Sequence, residues 1–506
     1  MLRALLRSLV SRRHASGPEV SKQAGYAARA AGDPDAALAH FLHAAHLRPG
    51  DAEAWNAAGM LHLSRGEPAE AIDALRQALA APHGAAVESN YLYALLLDPA
   101  LDADAILAAH LDWARRHADP LTARAPAPAP RPPDRRLRIG YVSPDFRKHV
   151  IAWFIEPVLR AHDRDRFEVY AYHSGAHEDA VTARLRTHVE HWRSIGALDD
   201  GSAAERIRED GIDILVDLAG HTAGGRPLLF ARRPAPLQWS WLGYIGTTGM
   251  QAMDARISDE ALEPAALAAG WYREALVRLP GSCYCYAAST ALPEVGPSPA
   301  ARGQGVTFAS LNRIEKVSNA ALDAWARLLQ RVPTSRLRIA AASSRQARER
   351  IGARFAAQGI GAERIVFMAG MRYESFAKTY AGVDIALDAF PVNGASTTCE
   401  ALWMGVPVVS LGVPRIGGRL GASVLGAAGC SEWFTTNVEA YIDAAARLAA
   451  DPVALARTRA GLRARVSASR LADAAGFTRD LEDAYRAAAR RAGWPGAADD
   501  SGPRVG

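Results

Sequence analysis

Short apolar runs alternate with helical patterns over most of the chain. The first series lies at 137–143, 167–174, 213–220 and 236–243, and the second at 306–312, 336–343, 364–370, 383–389 and 406–412. Near-continuous apolar strands separated by helices are typical of parallel sheets that are covered on both faces. A passage rich in Pro, Gly and Ala at 289–305 separates the two series. The pattern therefore predicts an α/β chain with two Rossmann-like halves, at 136–300 and 301–490, that face each other across a cleft.

A 34-residue repeat precedes the strands. Gly25, Gly32, Pro34, Ala37, Phe41 and Ala44 recur at that spacing as Gly59, Gly66, Pro68, Ala71, Leu75 and Ala78. The period and the apolar stripe predict stacked helical hairpins, in which small residues let helices approach and Gly-Asp-Pro separates them. The pattern is typical of tetratricopeptide repeats (TPRs), with a degraded third copy at 89–110; generic Ala-rich hairpins are the alternative. We expect an all-α region at 18–119 that docks on the α/β halves, because two repeats alone are marginally stable.

Three segments lack the periodic apolar positions that indicate a buried core. Residues 1–17 are rich in Arg and contain no acid before Glu19, so they form an N-terminal extension, which we interpret as a frayed leading helix rather than a targeting sequence. Residues 120–135 carry six prolines and predict an extended linker. Residues 491–506 are expected to form a flexible tail.

Composition narrows the class of protein. At 506 residues and 49% hydrophobic, the chain can bury two or three cores. Its 59 basic residues are interleaved with 54 acidic ones, so the net charge of +5 provides no single basic face for nucleic acid. Four cysteines are too few for a disulfide scaffold and fit a reducing cytoplasm. No apolar run approaches the roughly 20 residues that cross a bilayer, so no membrane partner is expected.

A polar break between two apolar runs is the first candidate site. In "DIALDAFPVNGASTTCEALWMGVPVVSLG", Gly394 permits a tight turn, and Ser396, Thr397 and Thr398 begin a helix. Ligands of open α/β sheets bind beyond the carboxyl ends of strands, and helix N-termini attract anions. Glu400, in the first turn, is placed to accept hydrogen bonds from a ribose diol. The combination predicts a nucleotide diphosphate site; an ordinary Ser or Thr N-cap with a first-turn Glu is the alternative.

Lys316 is a second candidate. It follows the first strand of the second series, in a loop that should open toward the same cleft. A cation there would neutralise a departing pyrophosphate. Taken by itself, a lysine in such a loop is more often a solvated charge.

Four sequence blocks resemble the catalytic region of the O-GlcNAc transferase and SPINDLY family, in the family's order. They are "YVSPDFRKHVIAWFIEPVL", "DILVDLAGHTAGGRPLLFARRPAPLQWSWLGYIGTTG", "FASLNRIEKV" with "WARLLQRVPTSRL", and "NGASTTCEALWMGVPVV" with "GRLGASVLGAAG". The resemblance runs from about residue 18 to 490 and is strongest to bacterial members that carry TPRs. It implies a GT-B fold and an inverting, metal-independent transfer of a sugar from a UDP-sugar to Ser or Thr hydroxyls of proteins, with no cofactor besides that co-substrate.

The resemblance also implies roles for individual residues. The catalytic pair is His149 and Lys316. The donor-binding residues are Asn312, Arg313, Lys316, Gly394, Ser396, Thr397, Thr398 and Glu400, and the residues expected at the cleft are Asp145, His221 and Thr247. The chain departs from the family at Ala395 and Phe376, where members often carry His, at Arg313 in place of Gln or Asn, and at Ile245 in place of Pro.

These roles define a mechanism. Lys316, the helix N-terminus at Ser396, and Arg313 would meet the charge that develops on the β-phosphate. His149 would line the acceptor side and position or partly deprotonate the hydroxyl, with Asp145 orienting His149 or nearby amides. We expect N-acetylglucosamine as the sugar and a protein or peptide acceptor bound along the repeats and the cleft. The alternatives are a TPR adaptor whose catalytic half has decayed, a GT-B sugar-nucleotide epimerase, and a family member with another nucleotide sugar or an Asn acceptor.

Overall fold

The computed structural model of the protein describes residues 17–128, 131–132, 135–289, 292–303, 305–340, 343–368 and 378–494. Phe376 and most of the two predicted terminal segments lie outside these residues. The helices are α1 Pro18–Ala30, α2 Pro34–Leu47, α3 Ala52–Ser64, α4 Pro68–Leu79, α5 Ala85–Leu97, α6 Ala103–His117, α7 Asp119–Thr122, α8 Val150–Ala161, α9 Ala180–Arg186, α10 Asp200–Glu209, α11 Pro227–Phe230, α12 Asn319–Arg331, α13 Arg345–Ala356, α14 Ser396–Trp403, α15 Leu420–Ala427, α16 Val438–Ala450, α17 Pro452–Ser467 and α18 Ala474–Arg491.

The strands are β1 Leu137–Ser143, β2 Phe167–His173, β3 His191–Ser194, β4 Ile214–Asp217, β5 Leu237–Ser240, β6 Ala255–Asp259, β7 Ala275–Leu279, β8 Thr307–Ser310, β9 Arg336–Ile339, β10 Ile365–Phe367, β11 Ile385–Leu387, β12 Val408–Leu411 and β13 Phe434–Thr435. The described residues form two parallel sheets, in the orders β3-β2-β1-β4-β5-β6-β7 and β10-β9-β8-β11-β12-β13. The predicted α/β class with two Rossmann-like halves is confirmed. The apolar pattern did not predict β3, β6, β7 and β13, which are short or carry polar residues.

Helices α1 to α6 form stacked pairs, and the 34-residue repeat explains their packing. A Cβ atom on Gly25 would lie 2.9 Å from the ring of Phe41, and one on Gly59 would lie 2.6 Å from Cγ of Leu75. Glycine is therefore required where the first helix crosses the second in the first two pairs. Gly32 and Gly66 turn the chain between the helices with φ of +79° and +71°, a conformation that favours glycine. The helical region fits the predicted TPR architecture.

The last helix returns to the first sheet. Helix α18 lies within the predicted second half, yet its Tyr485 ring is 5.0 Å from that of Trp239 in β5, and its Phe477 ring stacks at 5.7 Å on Trp241. These aromatic side chains are almost fully buried. The helix thereby joins the end of the chain to the first sheet.

The two halves also contact each other through the start of α15. Ser423, in α15, donates a 2.5 Å hydrogen bond to Oδ2 of Asp259 at the end of β6. Arg419 donates through Nε to the carbonyl oxygen of Ala261. Among the described helices, none is long and apolar enough to cross a membrane.

Candidate active site

Two loops meet at the carboxyl ends of β8 and β11, which are neighbours in the second sheet. The loop after β8 carries Lys316, and the loop after β11 carries Asn393. Lys316 Nζ donates a 2.7 Å hydrogen bond to the carbonyl oxygen of Asn393. Burial lowers the pKa of Lys316, whereas the carboxylates of Asp388 and Glu315 act to raise it. The structure thus holds an ammonium group against the loop that leads into α14.

A second hydrogen bond joins the same loops through Asn312. Thr397 donates to Oδ1 of Asn312 at 3.0 Å, and Asn312 donates from Nδ2 to Oδ1 of Asp388 at 3.0 Å. A Cβ on Gly394 would lie only 2.3 Å from the Thr397 hydroxyl oxygen and 2.5 Å from Asn312 Oδ1. The absence of a side chain at Gly394 therefore allows the two loops to approach.

Asp388 is the centre of this network, and it was not among the residues predicted from sequence. Its Oδ1 also accepts from the amide of Gly394 at 2.8 Å, and its Oδ2 accepts from the Ser410 hydroxyl at 2.7 Å. The side chain is 1% exposed, and burial raises the pKa of Asp388 to about 6. Asp388 follows the apolar run of β11 directly, and that position was the available signal.

The N-terminus of α14 has no side-chain cap. Its N-cap position is occupied by Ala395, and Ser396 and Thr397 are half-buried at the start of the helix. The Thr398 hydroxyl donates back to the Gly394 carbonyl oxygen at 3.2 Å. The structure therefore does not show the alternative, an ordinary N-cap by Ser or Thr. An uncapped helix start presents amide donors and the positive end of the helix dipole, which suit an anion.

The prediction that Glu400 lies in the first turn is wrong, because it is the fifth residue of α14. Glu400 is 3% exposed, and the Tyr380 hydroxyl donates a 3.4 Å hydrogen bond to its Oε2. The carboxylate lies on the same short helix as Ser396 and Thr397, but it faces a buried environment.

Arg313 projects into solvent, with 71% of its side chain exposed. Its Nε lies 3.0 Å from Oε1 of Glu315, an ion pair on the Lys316 loop. The guanidinium is also close enough to His149, in the first half, to lower that histidine's pKa. Arg313 thus lies where the two halves face each other.

His149 is the N-cap of α8, so its ring lies at the positive end of a helix. Its Nδ1 is 3.4 Å from the amide nitrogen of Ile151 and 3.5 Å from Oδ2 of Asp145. Burial lowers the pKa of His149, Asp145 raises it, and Arg147 and Arg313 lower it. The ring is 37% exposed, so it is accessible while held by its neighbours.

His221 and Thr247 are buried, and their contacts lie away from the loops of Lys316 and Asn393. His221 Nε2 donates to the Thr248 carbonyl oxygen at 3.3 Å, and its Nδ1 accepts from Ser89 of α5 at 2.9 Å. Burial lowers the pKa of His221 to about 3. Thr247 is 0% exposed and donates to Oε2 of Glu274 at 2.5 Å. Neither side chain is open to a ligand, and His221 anchors the helical region to the first sheet.

Within the described residues, no group of three or more His, Cys, Asp or Glu side chains is arranged to hold a metal ion. Lys316 places a cation beside the start of α14 through its hydrogen bond to Asn393.

Two parallel sheets in one chain, the second of which leads to a helix start that suits an anion, define a GT-B type of fold with a candidate nucleotide site. The chain belongs to glycosyl transferase family 41, whose family model matches residues 124–293 and 301–481.

Similar proteins carry consistent names. A protein of Solanum lycopersicum named "Probable UDP-N-acetylglucosamine--peptide N-acetylglucosaminyltransferase SPINDLY" is 37% identical over 395 residues, which cover 77% of this chain and 42% of that protein. A UDP-N-acetylglucosamine--peptide N-acetylglucosaminyltransferase of Caenorhabditis elegans is 26% identical over 465 residues, covering 69% of this chain and 40% of that protein. The chain therefore spans about two fifths of the length of these curated relatives.

One solved structure matches nearly the whole chain. It is a mutant O-GlcNAc transferase of Thermobaculum terrenum, with a TM-score of 0.88 and 37% identity, covering 97% of this chain and 94% of that one. The likeness includes the helical region as well as both sheets.

Proposed function

We propose that this chain transfers N-acetylglucosamine from UDP-N-acetylglucosamine to Ser and Thr hydroxyls of proteins, by an inverting reaction that needs no metal. The observation that carries the proposal is the meeting of Lys316 with the uncapped start of α14, through its 2.7 Å hydrogen bond to Asn393. The names of the related proteins support the choice of sugar donor and peptide acceptor.

The donor's two phosphates would lie between Lys316 and the first amides of α14. An ammonium group has three N–H donors, and the bond to Asn393 uses one of them. The amides of Ser396 and Thr397 and the helix dipole supply the rest of the anion site. Arg313, exposed at the edge of the Lys316 loop, would add a second cation where the family usually carries a neutral amide.

The reaction is a single displacement. The acceptor oxygen attacks the anomeric carbon, the bond between that carbon and the β-phosphate oxygen breaks, and its electron pair leaves with UDP. Attack opposite to the leaving group inverts the anomeric carbon. Negative charge grows on the β-phosphate as the bond breaks, and groups already oriented toward that charge lower the barrier. Lys316 and the α14 start would supply such groups.

His149 would receive the proton of the acceptor hydroxyl. Its lowered pKa keeps the ring neutral near pH 7. The neutral ring has two tautomers. In the first, Nδ1 accepts a hydrogen bond from the Ile151 amide, and Nε2 carries the proton and acts as a donor. In the second, Nδ1 carries the proton on the side of Asp145, and Nε2 is free to accept a proton. The second tautomer is the one in which His149 acts as the base, and the Asp145 carboxylate, 3.5 Å from Nδ1, would favour it.

Hydrolysis of nucleotide sugars tests the proposal. The purified chain is incubated with a panel of UDP- and GDP-sugars, with release of the nucleotide as the readout, and modified peptides from a host lysate are then sought by mass spectrometry. We expect release of UDP from UDP-N-acetylglucosamine and a mass increase on Ser or Thr. Turnover of another donor, or modification of Asn, would correct the substrate. A chain that does not bind UDP in a calorimetric titration would be an adaptor and not an enzyme.

A further inference from the structure

Helix α5 of the helical region contacts both sides of the candidate donor site. Tyr93 donates a 2.9 Å hydrogen bond from its hydroxyl to Oε1 of Glu315, which immediately precedes Lys316. At the end of the same helix, the carbonyl oxygens of Leu96 and Asp98 accept hydrogen bonds of 2.9 and 3.0 Å from Arg415. The helix is therefore fixed to two separate segments of the second half.

Both segments lead directly to the donor loops. Glu315 is one residue from Lys316 in the loop after β8. Gly417, two residues after Arg415, accepts a 3.2 Å hydrogen bond at its carbonyl oxygen from the amide of Asn393. Lys316 is thus linked to α5 through the neighbouring Glu315. Asn393 is linked to α5 through the segment from Arg415 to Gly417.

Tyr93 departs from its own repeat in a way that makes this contact. The repeat places Gly25 and Gly59 at the crossing of each helix pair, and the equivalent position 34 residues later is Tyr93. The crossing residues of the second helices, Phe41 and Leu75, are followed at the same spacing by Ala109. The third pair has exchanged its large and small residues, and the large one carries a hydroxyl that reaches the second half.

The contact is well shielded from water. Glu315 is 7% exposed and Arg415 is 8% exposed. Glu315 also accepts from Arg313, whose Nε lies 3.0 Å from the same Oε1 atom as the Tyr93 hydroxyl. A buried carboxylate with two donors has little freedom to move, so its position fixes the backbone of the neighbouring Lys316.

We propose that Tyr93 is a positioning residue for the donor site: through Glu315, α5 holds Lys316 in the geometry that binds the phosphates. This inference rests on the proposed function and extends it, because it makes the helical region part of donor binding as well as of acceptor binding.

A double-mutant cycle tests the inference in the full chain, with the Kd for UDP from calorimetry as the readout. The variants are Tyr93→Phe, Glu315→Ala and the pair together. Tyr91→Phe, alone and with Glu315→Ala, is the matched control, because Tyr91 lies on the same helix and its hydroxyl pairs with Arg76. Thermal unfolding of each variant shows whether it is folded. Binding of UDP by the unaltered chain tests the proposed function separately.

Tyr93→Phe should weaken UDP binding about three- to tenfold, because the lost hydrogen bond acts on Lys316 only through Glu315 and only part of its free energy is passed to donor binding. In the Glu315→Ala background it should change the Kd by less than about twofold, because the partner is already gone. Tyr91→Phe should have little effect in either background. If Tyr93→Phe binds UDP as the unaltered chain does, or if both tyrosine variants weaken binding equally, the positioning role is wrong. A Tyr93 effect that is unchanged in the Glu315→Ala background would also overturn it.

Discussion

Lys316 donates its hydrogen bond to the carbonyl oxygen of Asn393, 77 residues further along the chain. The bond joins the loops after two neighbouring strands and places a cation beside the start of α14. Thr397 and Asn312 join the same loops a second time. The candidate donor site is therefore formed by two loops, and we expect its function to depend on how firmly these bonds hold the loops together.

Replacing Lys316 by Met tests the cation. The change keeps the length of the side chain and removes its charge, so the β-phosphate loses its nearest positive partner. We expect turnover of the UDP-sugar to fall by about 10²- to 10³-fold, the usual effect of removing one group that stabilises the transition state. Circular dichroism and thermal unfolding should stay close to those of the unaltered chain. Turnover within a few-fold of normal would remove Lys316 from the mechanism.

Replacing Gly394 by Ala tests how tightly the loops must approach. The new Cβ would lie 2.3 Å from Thr397 Oγ1 and 2.5 Å from Asn312 Oδ1, so both side chains, or the Gly394 backbone itself, must move. We expect UDP binding to weaken by about tenfold or more, because the α14 start and the Lys316 loop would separate.

Gly461→Ala is the matched control for that change. Gly461 lies in α17, and a Cβ there would meet no atom within 4 Å. Alanine in a helix is favoured over glycine by about 1 kcal/mol, so this variant should be as stable as the unaltered chain or more so, with normal UDP binding. Equal UDP affinity for the two variants would mean that the close approach at Gly394 is not needed.

Replacing His149 by Ala separates catalysis from donor binding. His149 lies in the first half, whereas the proposed phosphate site lies in the second, so the Kd for UDP should change by less than about twofold. Turnover should fall by about 10²- to 10⁴-fold, the range for loss of a general base. Steady-state kinetics and calorimetry measure the two quantities. If affinity and turnover fall by the same factor, His149 belongs to donor binding.

Asp388 makes stability depend on pH. Burial raises the pKa of Asp388 to about 6, above the value near 3.9 for an exposed Asp. The folded state therefore binds this proton more tightly than the unfolded state does, so the contribution of Asp388 to the free energy of unfolding should fall as pH rises from about 4 to about 6. Asp388→Asn keeps an oxygen that can accept from Gly394 and removes the titration.

The free energy of unfolding of the unaltered chain, minus that of Asp388→Asn, should consequently fall as pH rises from about 4 to about 6. Urea unfolding at several pH values measures both curves. Burial also raises the pKa of Asp217 to about 6, but that residue is present in both proteins, so their difference isolates Asp388. Parallel curves would show that Asp388 does not carry a raised pKa.

The main architecture follows from sequence because it depends on local periodicity. The apolar runs at β1, β8 and β11 are long enough to be seen, and the 34-residue repeat marks the helical pairs. The return of α18 to the first sheet could not be predicted in the same way. It depends on the fit of Phe477 and Tyr485 against two tryptophans more than 200 residues away in sequence.

Sequence indicates which residues follow a strand, but it does not indicate which hydrogen-bond partners they meet. Lys316 and Thr397 were selected because each lies beyond the carboxyl end of a strand. Asp388 was missed because its importance comes from three partners on separate segments. His221 was expected at the cleft, but its ring meets Ser89, 132 residues earlier in the chain. Sequence spacing carries no information about that contact.

A crystal structure of the chain with UDP tests the central claim most directly. We predict that phosphate oxygens lie within about 3.2 Å of Lys316 Nζ and of the amide nitrogens of Ser396 and Thr397. UDP bound with its phosphates away from Lys316 and from the start of α14 would contradict the account.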